Sequence, residues 1–293
     1  MKQARYYIKT GKQTIRCTLC PHSCLLIPGD TGRCRVRHNH EGTLFTRSYG
    51  VVSGFGIDPI EKKPLYHYFP GSRILSVGSY GCNLRCLWCQ NAHISQCGID
   101  RQPEEKKSPA EALESASNSG GIGLAYTYNE PVVFFEWMME TARLVNDAGL
   151  KNVVVTNGYI NPEPLAEWLE LCHAFNVDLK SFSDEFYRKY TTGSIQPVLN
   201  TLAAIAGSGL HLEITFLVIA GMNDNARDFE KMVQWIANTL GTDVVLHINR
   251  YFPSWRLNVP ATPINVMQRL EDVARKYLQR VYLGNVPHGY RSS

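Results

Sequence analysis

The chain has 293 residues, and 44% of them are hydrophobic, which is enough to fill a sizeable core in one large domain or in two smaller ones. The formal net charge of +4 is too mild to indicate binding to nucleic acid. No apolar run approaches the ~20 residues that a membrane span needs, and the first residues lack the apolar region of a signal peptide.

The first predicted feature along the chain is a group of cysteines with the spacing C-x2-C-x3-C-x9-C. Its members are Cys17, Cys20, Cys24 and Cys34. Four sulfurs this close can form a closed zinc site or hold an auxiliary iron–sulfur cluster, and the sequence does not decide between the two. The surrounding segment is short, turn-rich and poor in core residues, so a metal would be needed to fold it. Cysteines in ligand spacing also indicate a reducing compartment, and we expect the protein to be cytoplasmic.

The segment that follows leads into the main domain. Residues 43–54 alternate apolar and polar side chains and predict a small strand. Residues 58–67 contain two prolines and a charge run, and we interpret them either as a solvated linker or as part of the mouth of a site. We therefore divide the chain into a cysteine-rich metal-binding segment with its lead-in, residues 1–70, and a second domain, residues 71–293.

A second cysteine group follows the apolar run at residues 74–77, which predicts a short buried strand. Cys82, Cys86 and Cys89 have the spacing C-x3-C-x2-C, and three thiolates on one loop can hold three corners of a [4Fe–4S] cluster. Such clusters usually take four cysteines, so one iron would stay open for chemistry. The alternatives are a zinc loop, or a closed electron-transfer cluster completed by Cys97 or Cys172.

Downstream, short apolar runs alternate with helical patterns. Ser108 and Glu111 predict a capping box at the start of a helix that runs to about residue 117, after a loop over residues 97–109. Further strands are predicted at residues 122–126, 152–156, 175–180, 211–218, 244–249 and 281–284. Further helices are predicted at residues 132–148, 162–173, 184–190, 195–207, 225–240 and 263–278. Six or seven β–α repeats indicate an α/β fold with an incomplete TIM-like (β/α)6 barrel, because a full (β/α)8 barrel needs about 250 residues.

Polar side chains follow the predicted strands at their carboxyl ends, where the active sites of such barrels lie. The candidates are Asn129, Glu130, Thr156, Asn157, Asp178 and Lys180. Glu130 could accept hydrogen bonds from an ammonium group, or it could simply be favoured at a helix N-terminus beside Pro131. Asp178 and Lys180 could bind a charged ligand or form a strand-end salt link. Arg250 is interpreted either as an anion clamp or as part of a structural ion pair.

The sequence of these segments resembles the radical S-adenosylmethionine (radical SAM) superfamily. Over nearly its whole length, the chain is similar to the radical SAM member of the AmmeMemoRadiSam set, a branch close to the pyruvate formate-lyase activating enzymes. The segments that carry the resemblance are Cys-Thr-Leu-Cys-Pro-His-Ser-Cys at 17–24, Asp-Pro-Ile-Glu-Lys-Lys-Pro-Leu-Tyr-His at 58–67, the cysteine loop at 80–91, Tyr-Thr-Tyr-Asn-Glu-Pro at 126–131, Thr-Asn-Gly-Tyr at 156–159, Asp-Leu-Lys-Ser-Phe at 178–182 and Gly-Asn-Val at 284–286.

The resemblance implies cofactors and roles for these residues. The open iron would chelate S-adenosylmethionine (SAM), and one electron from a flavodoxin or ferredoxin would trigger its cleavage to a 5′-deoxyadenosyl radical. Glu130 would hold the amino group of SAM, although the two glycines that precede this glutamate in the family are Tyr128 and Asn129 here. Asn129 and the candidates at 156, 157, 178 and 180 would help to seat SAM.

The resemblance leaves the substrate open. The radical could abstract a hydrogen atom from a glycine on a partner protein, as in activating enzymes, or it could modify a small molecule or a peptide. A non-catalytic iron–sulfur electron-transfer protein is the alternative from another functional class.

Overall fold

The computed structural model describes residues 1–99 and 105–287. Within them, the strands of the first 52 residues have two to four residues each, and the strands of the central sheet that follow have four to eight. The bounds of the strands are β1 Lys2–Gln3, β2 Tyr7–Lys9, β3 Ile15–Cys17, β4 Leu25–Leu26, β5 Arg37–His40, β6 Thr43–Thr46, β7 Val51–Val52, β8 Gly54–Pro59, β9 Arg73–Gly78, β10 Glu105–Lys106, β11 Gly123–Tyr126, β12 Lys151–Thr156, β13 Ala174–Asp178, β14 His211–Val218, β15 Val245–Arg250 and β16 Val281–Gly284.

The helices follow the predicted β–α alternation. Their bounds are α1 Ala92–Ser95, α2 Pro109–Asn118, α3 Phe135–Asp147, α4 Pro162–Leu171, α5 Asp184–Tyr190, α6 Ile195–Gly207, α7 Ala226–Thr239 and α8 Ile264–Ala274, with 3-10 helices at Ile60–Lys62 and Pro131–Phe134. Helix α2 begins with the predicted capping box, because the Ser108 hydroxyl accepts from the Glu111 amide and the Glu111 carboxylate accepts from the Ser108 amide.

An eight-stranded sheet in the order β16-β15-β14-β13-β12-β11-β9-β8 forms the centre of the described structure. Neighbouring strands run parallel, except that β8 pairs antiparallel with β9. The order ends at β8 and β16 and is an open row, so the sheet is an incomplete barrel. The predicted fold class is confirmed.

Side chains alternate between the two faces of this sheet. Outward-facing residues such as Phe175 and Val177 join the large core beneath the helices. Inward-facing residues such as Ala174 form a smaller core inside the barrel. Burying each large apolar side chain contributes roughly 1.5–3 kcal/mol, so the packing of helices on the outer face is a main source of the barrel's stability.

The structure shows that residues 58–67 are not a solvated linker. Ile60 and Leu65 are fully buried and pack with inward-facing residues of β9, β11, β12 and β13. The carboxylate of Glu213, near the start of β14, accepts hydrogen bonds from the amides of Tyr66 at 3.0 Å and His67 at 2.8 Å. The segment therefore closes the amino-terminal end of the barrel interior.

Other predicted boundaries also shift. The single strand expected over residues 43–54 is divided into β6, β7 and the start of β8, with a turn at Gly50, where φ is +73°. Part of the loop predicted over residues 97–109 lies outside the described residues, and Glu105–Lys106 forms a strand that pairs with β7. Helix α1 was not predicted.

The amino-terminal segment packs directly on the barrel. Ile15, Val36 and Leu44 belong to the same hydrophobic core as Phe135 and Trp137 of α3. Strand β8, which the division after residue 70 assigns to the first segment, pairs with β9 in the central sheet. The division into residues 1–70 and 71–293 stays a prediction.

Candidate active site

A cavity of about 560 Å³ lies at the carboxyl ends of the parallel strands. The nine residues predicted for the central site all contribute to its lining: Cys82, Cys86, Cys89, Asn129, Glu130, Thr156, Asn157, Asp178 and Lys180. Thr156 and Asp178 are the last residues of β12 and β13, and the others come from the loops after β9, β11, β12 and β13. The carboxyl ends of these strands meet at one edge because the strands are parallel.

The cysteine loop after β9 is fixed by backbone contacts on several sides. Gly81 adopts a φ of +86°, which glycine tolerates best, and its amide donates to the Ile94 carbonyl at 2.9 Å. The Arg85 amide donates to the carbonyl of Thr191 at 2.8 Å, just after α5. These contacts therefore fix the backbone of the loop.

The thiols of this loop are poor acids in the absence of a cation. Burial raises the pKa of Cys82 well above its ordinary value, and burial raises the pKa of Cys86 to about 12. The Cys82 sulfur accepts from the Leu84 amide at 3.4 Å, and the Cys89 sulfur lies 3.1 Å from the Ser95 hydroxyl. Since thiolates are the ligands, metal binding at this loop must release protons.

The donor set is compatible in kind with a [4Fe–4S] cluster, because cysteine thiolates are its usual ligands. In the part of the chain that the structure describes, no group of three or more His, Cys, Asp or Glu side chains is arranged to hold one metal ion. A cluster places each cysteine on a different iron, so its sulfurs need not converge on one point. Three free thiols on one loop beside a large cavity meet that requirement and leave one iron without a cysteine.

The two spare cysteines point elsewhere. The Cys97 sulfur donates to the carbonyls of His93 at 3.1 Å and Ile94 at 3.2 Å, at the end of α1. Cys172 is buried in the core beneath the helices. Neither is among the described residues that line the cavity.

Glu130 is a buried carboxylate that links two strand ends. One of its oxygens accepts from the Thr156 hydroxyl at 2.7 Å and from the Val132 amide at 3.1 Å, and the other accepts from the Asn157 amide at 2.8 Å. Burial raises the pKa of Glu130 to about 7, against the effect of these hydrogen bonds. The capping role that the sequence offered is present, and a carboxylate with about four acceptor positions can still take a further donor from the cavity.

Asn129 and Asn157 hold the cysteine loop in place. The Asn129 side chain accepts from the Ser79 amide at 2.9 Å and donates to the Gly81 carbonyl at 2.9 Å. The Asn157 amide group donates to Asn83 at 2.9 Å and lies 3.7 Å from the Cys82 sulfur. These two side chains therefore position the loop.

Asp178 and Lys180 form an ion pair at the end of β13, with 2.6 Å between the carboxylate and the ammonium group. Burial lowers the pKa of Lys180, but the Asp178 carboxylate and the Cys86 thiol outweigh it, so the pKa lies above its ordinary value. Lys180 therefore presents a permanent positive charge beside the cysteine loop. The predicted salt link is present and it lines the cavity.

Sequence reasoning missed several residues of the cavity lining. Asp58 accepts from the Lys63 ammonium at 2.7 Å and from the Tyr128 hydroxyl at 3.0 Å, and both Asp58 and Lys63 line the cavity. The second interpretation of residues 58–67, as part of the mouth of a site, was the signal that could have found them. Asn249 also lines the cavity, and it lies near the carboxyl end of β15, where the strand-end rule applies.

Arg250, by contrast, is engaged away from the cavity. Its guanidinium donates to the Thr262 carbonyl at 2.7 Å and stacks over the Phe252 ring. His247 is buried and lies 2.5 Å from the Glu213 carboxylate inside the barrel.

The amino-terminal cysteines lie around a second, much smaller cavity of about 20 Å³. Cys17, Cys20, Cys24 and Cys34 all line it. Burial raises the pKa of Cys34 to about 11. Among the residues that the structure describes, these sulfurs are not arranged to hold a single metal ion. The geometry therefore does not decide between zinc, an iron–sulfur cluster and packing without a metal.

Comparison with known proteins adds a family match and distant relatives. A family model described as the radical SAM superfamily matches residues 76–236. An uncharacterized protein of Methanocaldococcus jannaschii is 38% identical over 289 residues, which cover 98% of this chain and 86% of that protein. A pyruvate formate-lyase-activating enzyme of Listeria monocytogenes is 22% identical over 198 residues, or 64% of this chain and 79% of that enzyme.

A further relative is a 4-hydroxyphenylacetate decarboxylase activating enzyme of Clostridium scatologenes, 22% identical over 203 residues, or 67% of this chain and 64% of that enzyme. Among solved structures, SuiB of Streptococcus suis bound to S-adenosylmethionine matches with a TM-score of 0.57 and 12% identity, over 70% of this chain and 48% of that one. A domain of a pyruvate-formate lyase-activating enzyme of Bacteroides vulgatus matches with a TM-score of 0.50 and 16% identity, over 56% of this chain and 99% of that one. At these identities the structural likeness shows the fold.

None of the helices that the structure describes is long and apolar enough to cross a membrane.

Proposed function

The chain belongs to the radical SAM superfamily, and on that premise we propose that it cleaves SAM reductively at a [4Fe–4S] cluster held by Cys82, Cys86 and Cys89. The observation that carries the proposal is the single cavity at the strand ends, which three free thiols and six predicted cofactor contacts line together. The family implies both the cluster and SAM. When bound, the reduced cluster supplies the electron that cleaves SAM to a 5′-deoxyadenosyl radical.

The residues of this chain seat and orient SAM. Glu130 would accept from its ammonium group, because its carboxylate is fixed by Thr156 and Asn157 and faces the cavity. Lys180 would attract its carboxylate, while Asp178 fixes the position of the lysine. Asn129 and Asn157 would act on SAM indirectly, by holding the cysteine loop.

The substrate in this proposal is a glycine on a partner protein, from which the radical takes a hydrogen atom. Support comes from the relatives named as activating enzymes, which share 22% identity with this chain. The electron would come from a low-potential protein, a flavodoxin or a ferredoxin. The free cysteines support a reducing, cytoplasmic location.

A second metal at Cys17, Cys20, Cys24 and Cys34 is part of the proposal. All four cysteines line one small cavity and none of them forms a disulfide, which supports this part of the proposal. Both zinc and an auxiliary iron–sulfur cluster are compatible with four thiolate ligands.

The first experiment is a metal and sulfide count on anaerobically purified protein, with an electron paramagnetic resonance spectrum of the reduced form before and after SAM is added. We expect about four irons, a spectrum that changes with SAM, and 5′-deoxyadenosine as a product. One zinc in addition would assign the second site to zinc, and about eight irons would assign it to a second cluster. A complete cluster that does not respond to SAM would contradict the proposal and favour the electron-transfer alternative.

The second experiment tests the substrate. Extract from cells grown on glycine deuterated at the α-carbon is separated by size into protein and small-molecule fractions, and each is added to the reduced enzyme with SAM. Deuterium in 5′-deoxyadenosine with the protein fraction alone is the expected result. Product stimulated by the small-molecule fraction alone would overturn the glycine assignment and favour modification of a small molecule or peptide.

A further inference from the structure

Four arginines lie in or near the cysteine loop, close enough to act electrostatically on one another. Arg85 lies within the loop, between two of the cysteines, and its side chain is exposed. Arg33 and Arg256 are also exposed, and Arg35 is half-buried. We call Arg33, Arg35, Arg85 and Arg256 the arginine patch.

Contacts between segments hold this patch together. The Arg256 amide donates to the Leu87 carbonyl at 3.0 Å, which ties the segment after β15 to the cysteine loop. The Arg35 guanidinium donates to the Gln96 carbonyl, and the Gln96 side chain donates to the Leu84 carbonyl at 3.0 Å. Three separate parts of the chain thus present arginines around one loop.

The charges within the patch act on one another. The guanidinium groups of Arg35, Arg33 and Arg256 lie close enough to that of Arg85 to repel its charge. Arginine keeps its charge at any physiological pH, so the patch stays cationic despite this repulsion. A local cluster of four positive charges on a chain with a net charge of only +4 creates a directional field.

The position of the patch decides what it can bind. The described residues that line the cavity include none of the four arginines, so the patch lies outside the site proposed for SAM. Small ligands usually bind in concave pockets, whereas an exposed charged surface steers a large partner of opposite charge. Arg85 lies between Cys82 and Cys86 in the sequence, so a partner bound at the patch would contact the loop that carries these thiols.

We propose that the arginine patch is the docking surface for an acidic electron-donor protein. This inference rests on the proposed function, because a radical SAM enzyme must receive one electron for each cleavage of SAM. The step transfers one electron from the donor, which is oxidised, to the iron–sulfur centre, which is reduced, and no atom or proton is exchanged. Charge complementarity would mainly accelerate association, and its effect would weaken with salt.

The test compares two double variants that change the net charge equally. Arg33→Glu with Arg256→Glu reverses two exposed charges of the patch outside the cysteine loop. Arg227→Glu with Arg269→Glu reverses two exposed charges on α7 and α8 as a control. Each protein is purified anaerobically with its cluster. Arg33 also lines the small cavity of the amino-terminal cysteines, so iron and zinc contents are measured together with circular dichroism to establish that both metal sites and the fold are retained. Should the glutamate variant not fold, Arg33→Gln with Arg256→Gln replaces it.

Two readouts are needed. Binding to a recombinant, reduced flavodoxin is measured by calorimetry without SAM, at low and high salt. Reduction of the cluster is followed by stopped-flow absorbance with the same flavodoxin and with reduced methyl viologen, a small cation. We expect the patch variant to lose roughly tenfold or more in flavodoxin affinity and reduction rate at low salt, with no loss for viologen.

Several results would overturn the docking surface. Flavodoxin binding and reduction at wild-type rates in the patch variant would do so, and so would an equal loss in the control variant. A loss with viologen as well would show damage to the centre itself. Failure of the wild type to cleave SAM with either reductant would instead contradict the proposed function. The binding and reduction data would still test whether flavodoxin docks at the arginine patch.

Discussion

At the residue scale, variants of two cysteines test whether the cluster has three cysteine ligands or four. Cys86 lines the cavity, whereas the Cys97 sulfur donates to two carbonyls at the end of α1. We expect Cys86→Ala to abolish production of 5′-deoxyadenosine, because one of three ligands is lost, and Cys97→Ala to retain nearly all of it. The measurement is product formation per assembled cluster. Loss of cleavage in the Cys97 variant with its fold intact would contradict the three-cysteine site.

Glu213 makes a second prediction at this scale, and it concerns acid stability. Its side chain has no exposure and accepts from the amides of Tyr66 and His67. Burial raises the pKa of Glu213, but hydrogen bonds from His211 and His247 outweigh it and lower the pKa from 4.5 to about 2. Because the folded-state pKa is depressed, the resulting stability is present above pH 4.5 and is lost as the pH falls towards 2.

We therefore expect Glu213→Gln to reduce the free energy of unfolding by roughly 3 kcal/mol at neutral pH. The difference from the wild type should shrink as acid protonates the native carboxyl, because glutamine mimics that neutral form. Urea unfolding from about pH 2.5 to pH 7 measures it, with the exposed Glu114→Gln as a control. A difference that stays constant over this range would refute the assignment.

At the element scale, the cysteine loop depends on one glycine. A Cβ at Gly81, whose φ is +86°, would collide with the carbonyl oxygen of Cys34. We expect Gly81→Ala to cost about 1–3 kcal/mol or more in the free energy of unfolding and to lower the iron content, because the loop must move. Gly207→Ala is the control, since nothing lies near its Cβ at the end of α6 and little change is expected there. Normal iron content and stability in the Gly81 variant would show that the loop tolerates the shift.

The elements that could be predicted from the sequence are those with local signals at both ends. Helices α5 and α6 and strands β14 and β16 lie at the predicted residues. Helix α5, for example, begins where the Ser183 hydroxyl accepts from the Phe186 amide, a local cap between residues three apart in the sequence. Apolar runs between such caps are sufficient to fix the alternation of strands and helices.

The elements that escaped prediction depend on distant partners. Lys63 belongs to a charge run that favours solvent, yet it is 3% exposed because Asp58 pairs with it and the Tyr128 ring covers it. The hydrogen bonds from Tyr66 and His67 to Glu213 span about 146 residues of sequence. No local sequence pattern near residues 58–67 predicts that Glu213, so far along the chain, accepts these hydrogen bonds.

The candidate site divides in the same way. The strand-end rule gathers the nine predicted residues into one cavity, because parallel strands bring their carboxyl ends together. Sequence reasoning assigns Asn129 to cofactor binding, which stays a prediction. The structure adds that its side chain bonds Ser79 and Gly81 while the residue lines the cavity. Whether an asparagine contacts a ligand or a neighbouring loop depends on tertiary geometry that spacing does not encode.

At the scale of the whole molecule, the amino-terminal segment and the barrel are joined by a buried ion pair. Arg37 and Glu136 are each 2% exposed, with 2.9 Å between the guanidinium and the carboxylate. The same carboxylate accepts from the Arg5 amide at 2.8 Å. The pair thus links two points of the amino-terminal segment to α3, which packs on the barrel.

This link makes the last prediction. Arg37→Met should reduce the free energy of unfolding by about 3–5 kcal/mol, because it leaves a buried carboxylate without its partner. The double variant Arg37→Met with Glu136→Gln should recover part of that loss, since the uncompensated charge is gone. Lys231→Met, which breaks an exposed pair with Asp228, should cost at most about 1 kcal/mol.

Unfolding followed by circular dichroism and by tryptophan fluorescence distinguishes two organisations of the molecule. If the segment and the barrel share one core, Arg37→Met shifts a single transition seen by both probes, because Trp137 and Trp168 lie in the barrel part of that core. A separate early transition, with the barrel tryptophans unaffected, would mean that the segment unfolds alone and that the barrel does not depend on it. In that case the cysteine loop, which packs against Cys34, would lose one of its supports without global unfolding, and iron content would fall before the barrel melts.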